Sequence, residues 1–99
     1  MSVYEARVVL QDSVGLHARP AALVVQEANK FKCTIRLSKE GGGEVDGKSI
    51  LGIMSMNVGR GATVTIRTEG EDAHEAIVHI VALLTGTLEG ESYSVVRRQ

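Results

Sequence analysis

Gly15-Leu16-His17-Ala18-Arg19-Pro20-Ala21 is the stretch on which the rest of the chain turns. Before it, Tyr4 to Leu10 alternate apolar and polar residues; after it, the apolar residues recur at helical spacing. The heptapeptide is therefore a strand-to-helix junction. Pro20, the chain's only proline, marks the helix start, because the N–H that proline lacks has no intrahelical partner in a first turn. His17 then sits at the mouth of a helix, where free backbone N–H groups and the positive dipole end favour a bound anion. Arg19 adds a fixed charge with forked donors suited to phosphate. A neutral imidazole is a nucleophile, and a nearby helix N-terminus holds it neutral near physiological pH. A nucleophile inside an anion site suits accepting a phosphoryl group and keeping it.

Working outward, Tyr4, Ala6, Val8 and Leu10 share one face of a half-buried strand, with Glu5 and Arg7 on the other. Gln11 to Leu16, with Asp12, Ser13 and Gly15, reads as a turn into the helix. Ala21, Val24, Val25, Ala28 and Phe31 make the helix's apolar stripe. Cys33, Ile35 and Leu37 alternate as a second strand, which returns through Gly41-Gly42-Gly43 to the short strand Glu44-Val45-Asp46. Ser49 caps a short helix within Lys48 to Met56. Ala62, Val64 and Ile66 face inward on a fourth strand, and Ala73, Ala76, Ile77, Ile80, Val81 and Leu84 form the buried face of a last helix. Glu91 to Gln99 is a tail or a weak strand. The order β-α-β-β-α-β-α predicts an α+β fold, an α/β open-faced sandwich: a four-stranded antiparallel sheet covered on one face by three helices. The chain is expected to be one domain over 1–99, with a core at about 3–88 and a C-terminal tail at 89–99.

Composition narrows the function classes. A net charge of -1 offers no basic surplus for nucleic acid or anionic membrane, and two tyrosines and one phenylalanine are few for base stacking. Cys33 is the sole cysteine, so no intrachain disulfide forms, and its neighbours suggest a buried small hydrophobe. No run approaches membrane-spanning length, and Met1-Ser2-Val3-Tyr4-Glu5 lacks the marks of a signal peptide. The expectation is a cytoplasmic monomer without cofactor or metal. His74 and His79 are five apart, which denies them the shared face of a helical metal pair.

Two further stretches carry chemistry. Gly42-Gly43-Glu44-Val45-Asp46-Gly47-Lys48-Ser49 satisfies the P-loop pattern G-x-x-x-x-G-K-[ST]. Its middle reads as strand and puts two carboxylates where phosphates would bind, so a hairpin return and a Ser-capped helix are favoured over a small P-loop-like nucleotide-binding protein. Ile50, Leu51, Ile53, Met54 and Met56 are too many apolar residues for a short helix to bury, leaving some for contact with partners.

Gly15–Ala21 as G-L-H-A-R-P-A, together with V-D-G-K-S-I-L-G-I-M-S-M at Val45–Met56 and G-E-D-A-H-E-A at the last helix start, resembles HPr, the histidine-containing phosphocarrier family of the bacterial sugar phosphotransferase system. The resemblance spans essentially the whole domain. It implies that His17 accepts a phosphoryl group on Nδ1 from the phosphohistidine of enzyme I and passes it to enzyme IIA domains. The phosphate would be held by the backbone amides of Ala18 and Arg19 and by the Arg19 side chain. It implies a covalent intermediary rather than a turnover enzyme. Ser49 falls at the family's regulatory serine, modified by an HPr kinase/phosphorylase and linked to a catabolite-control transcription factor. Ile50, Leu51 and Met54 match its docking positions. Many relatives place a small polar residue before the first glycine, where this chain has Val14. The alternative within the family is a regulatory or nitrogen-branch paralogue using the same His17 chemistry; a relative without that histidine would regulate only.

Overall fold

Alternation at β1, Val3–Val9, places Ala6 and Val8 in the core and Arg7 and Val9 in solvent. The computed structural model describes residues 2–10, 18–57, 62–85 and 95–99, with backbone alone at 18–20 and 85. The expected Asp12–Val14 turn, His17 itself and the glycines at 59, 61, 86 and 90 lie outside the described residues. The remaining elements are α1 (Ala18–Ala28), β2 (Thr34–Lys39), β3 (Glu44–Asp46), α2 (Ile50–Ser55), β4 (Thr63–Glu69), α3 (Ala73–Thr85) and β5 (Val95–Arg97).

The strands form one antiparallel sheet in the order β3-β2-β4-β1-β5. The open-faced sandwich is as expected, but the sheet has five strands rather than four. Val95 and Val96 are β-branched and pair with Ala6 and Glu5 of β1. Unlike the equally short β3, which the glycines at 41–43 mark as a hairpin return, β5 has no sequence signal of the strand it pairs with.

The helices cover one face. From α1 come Ala21, Val24 and Ala28; from α2, Ile53, with Met56 just beyond it; from α3, Ala73, Ala76, Ile77, Ile80, Val81 and Leu84. They pack on Ala6, Val8, Leu10, Cys33, Ile35, Leu37, Val64 and Ile66 of the sheet side. Among the described residues Thr68 is the buried polar one, and its hydroxyl donates to the Ala73 carbonyl at 2.8 Å. Asp72 does not cap α3 with its side chain. Its carboxylate accepts from the backbone N–H of Lys32 at 2.8 Å and of Cys33 at 2.9 Å, tying the α3 entry to the start of β2. Those N–H groups, Lys32's foremost, hold the Asp72 carboxyl below the usual carboxylate range. Cys33 is buried as expected. Burial first, then the adjacent Asp72, pushes its thiol from 9.0 to about 12.

Candidate functional site

The helix that opens the site begins at Ala18, one residue past His17. Ala18, Arg19 and Pro20 are therefore its first three residues, and the leading amides of a helix have no intrahelical acceptor. Ala18 and Arg19 thus carry first-turn N–H groups that the helix itself does not engage, while Pro20 has none to lose. The side chains of His17 and Arg19 lie outside the described residues. For this half of the site the structure supplies the helix start and its polarity.

The second half is built by α2. Ser49 stands in extended conformation, φ -116° and ψ 117°, as the N-cap. Its Oγ accepts from the Gly52 N–H at 3.1 Å, while its carbonyl accepts from Ile53 at 3.0 Å. Gly47 sets the approach. Its N–H donates to the Ile35 carbonyl at 2.8 Å, and an added Cβ would lie 2.7 Å from Ile35 Cγ2 and 2.9 Å from Leu37 Cδ1. Only glycine lets the chain cross β2 this closely before turning into α2.

The P-loop-like pattern is spent on structure. Glu44–Asp46 is strand β3, paired with Arg36, Leu37 and Ser38 of β2. Lys48 Nζ donates to the Phe31 carbonyl at 2.7 Å, and its backbone N–H donates to Asp46 Oδ1 at 2.9 Å. With Lys48 clamping the end of the α1–β2 connection and Ser49 capping α2, neither is placed as a P-loop places its lysine and serine.

α2 divides its apolar residues sharply. Ile53 is fully buried and Met56 nearly so, whereas Ile50 is 38% exposed, Leu51 78% and Met54 41%. Three large apolar side chains on a six-residue helix thus face outward, beside the Ser49 cap. Leu23, 48% exposed on α1, which packs against α2, is a further outward apolar residue that the stripe pattern left unassigned. Its signal is an apolar residue off the buried stripe. The Lys48 clamp had no signal, since it joins residues far apart in sequence.

The other histidines lie elsewhere. His74 meets the Tyr4 ring edge-on at 5.0 Å between centroids, and His79 Nδ1 lies 3.4 Å from Glu27 Oε1 on the surface. Among the described residues no group of three or more His, Cys, Asp or Glu side chains is gathered as a metal site. No helix among them is long and apolar enough to cross a membrane.

A family model described as the PTS HPr component phosphorylation site matches residues 4–86. The HPr-like protein Crh of Halalkalibacterium halodurans is 46% identical over 80 residues, covering 81% of this chain and 94% of that protein. The crystal structure of the phosphocarrier protein HPr from Bacillus anthracis superposes with a TM-score of 0.79 at 47% identity, covering 84% of this chain and 98% of that one. Crh of Bacillus subtilis, a catabolite repression protein whose crystal structure is a swapped-domain dimer, gives a TM-score of 0.66 at 45% identity, with coverage of 78% and 87%.

Proposed function

The chain belongs to the HPr family of the phosphotransferase system, and from that membership we propose that it carries a phosphoryl group on His17 between two proteins. Nδ1 of His17 attacks the phosphorus of the enzyme I phosphohistidine. The new N–P bond forms as the donor's N–P bond breaks, His17 gives up its Nε2 proton, and the donor imidazole regains one. The same exchange then runs from His17 to an enzyme IIA domain. Arg19 and the amides of Ala18 and Arg19 balance the charge of the bound phosphoryl. The carrying observation is the start of α1 at Ala18, directly after His17. A histidine at the motif position favours a carrier over a regulator that lacks it.

In this reading Ile50, Leu51 and Met54 form the surface that docks enzyme I and enzyme IIA, and Ser49 is the regulatory phosphorylation site at its edge. A phosphate on Ser49 would add a near-dianion at the α2 start, where it suits the helix dipole and repels an acidic partner. The likeness to two Crh proteins favours a second reading, in which regulation through an HPr kinase/phosphorylase and a catabolite-control transcription factor is the main output. The proposed setting is the cytoplasm, and the proposed working state is a monomer, with no cofactor and no metal.

Reconstitution tests the carrier reading. The chain is loaded from phosphoenolpyruvate by enzyme I, then mixed with enzyme IIA domains. Passage of the phosphate to an enzyme IIA supports transport. A chain that loads but transfers to none of them supports the regulatory branch instead.

A further inference from the structure

β5, within the stretch 91–99 whose sequence reads as a tail or a weak strand, lies beyond residue 86, where the family match ends. It pairs along the outer side of β1, with Tyr4 opposite Arg97, Glu5 opposite Val96 and Ala6 opposite Val95. Arg98 N–H donates to the Val3 carbonyl at 2.7 Å and Val3 N–H to the Gln99 carbonyl at 3.2 Å. Both Arg98 Nε and Nη2 reach Glu5 Oε1 at 3.1 Å. Without these contacts β1 would be a seven-residue edge strand containing no proline and no lysine. Such an edge is a template for another strand.

The sequence of β1, Val3-Tyr4-Glu5-Ala6-Arg7-Val8-Val9, is complementary to itself when paired antiparallel about Ala6. Glu5 then faces Arg7 of a second copy and Arg7 faces its Glu5. Tyr4 faces Val8, and Val3 faces Val9. The alternation keeps the charged pairs on the open face and Tyr4, Ala6 and Val8 on the core face in both copies. A two-fold axis through such a pair is isologous and closed, and it leaves both helical layers on the same side. β5 covers Tyr4–Ala6, which includes the centre of that register, and Arg98 occupies on Glu5 the place that Arg7 of a second copy would take.

We propose that β5 is a covering strand that keeps this chain monomeric, and that the β1 edge beneath it is a docking surface for β1 of a second copy. Release of β5 converts the carrier into a two-fold dimer joined β1 to β1.

Sedimentation equilibrium over a wide concentration range tests this with the full chain and a chain ending at Gly90. The Bacillus anthracis carrier, matched over 98% of its own length by 84% of this chain, indicates that the shortened chain can fold. The full chain is expected to stay monomeric and the shortened one to dimerise with rising concentration. In the shortened chain E5R sets arginine against arginine twice and should raise the dimer dissociation constant about tenfold or more. The double exchange E5R/R7E restores both pairs and should restore the dimer. If circular dichroism shows the shortened chain unfolded, V95D/R98E in the full chain releases β5 instead, with the same expected dimer. A released or shortened chain that stays monomeric, a dimer indifferent to E5R, or a full chain that dimerises as strongly would each overturn the proposal.

Discussion

Replacing Ser49 separates the structural work of that residue from any regulatory use. Its Oγ accepts the Gly52 N–H at 3.1 Å, and α2 spans only Ile50–Ser55, with Ile53 as its fully buried anchor. Ser49→Ala leaves that amide to partial solvent at a cost of about 1 kcal/mol. Ser49→Asp keeps an acceptor of equal capping rank and adds a charge that the helix start favours. In a domain of this size about 1 kcal/mol corresponds to a melting point lower by roughly 4–8 °C. The same loss moves the urea midpoint by roughly 0.5–1 M. Urea and thermal unfolding followed by circular dichroism should therefore rank the wild type and Ser49→Asp together and Ser49→Ala below both. Equal stability of the Ala and Asp variants would refute the capping argument. If Ser49→Asp also loads more slowly from enzyme I than wild type while Ser49→Ala does not, the charge and not the lost cap is responsible.

Other perturbations follow from the same geometry. Gly47→Ala drives a Cβ to within 2.7 Å of Ile35 Cγ2 and 2.9 Å of Leu37 Cδ1, and should lower unfolding free energy by about 1–3 kcal/mol; a variant as stable as wild type would contradict the close crossing. Ile53→Ala should cost about 2–5 kcal/mol, whereas Leu51→Ala should stay within about 0.5 kcal/mol but weaken enzyme I docking, which denaturation and transfer kinetics together distinguish. Cys33, with its thiol pushed from 9.0 to about 12, should resist alkylation by iodoacetamide in the native state. Because the folded thiol holds its proton more tightly than the unfolded one, its contribution to stability is whole below pH 9.0 and is lost as pH rises toward about 12. Comparing the alkaline stability of wild type and Cys33→Ala would reveal that slope, and identical slopes would count against it.

Periodicity made most of the fold legible. Ala6, Val8 and Leu10, then Ala21, Val24 and Ala28, then the six apolar residues from Ala73 to Leu84 all turn inward as their spacing requires. Pro20 fixed the start of α1 to within its first turn because proline tolerates few other helical positions. The P-loop pattern misleads because it records residue types and not the pairing of Glu44–Asp46 with β2. What sequence could not show were contacts joining distant residues. Asp72, just ahead of α3, reaches 39 and 40 positions back to Cys33 and Lys32. β5 was obscured for the same reason, since three residues gain a strand's identity only from β1. On α2, spacing left open which apolar residues would be exposed; packing against α1 and β3 buries Ile53 and leaves Leu51 outside.

Intact mass spectrometry after incubation with phosphoenolpyruvate and enzyme I reads directly whether His17 becomes a phosphohistidine. A single added phosphate is expected that is lost in acid and is absent from His17→Ala, while Ser49→Ala still acquires it. No acid-labile phosphate from an enzyme I active on its own carrier, or an undiminished one in His17→Ala, would contradict it.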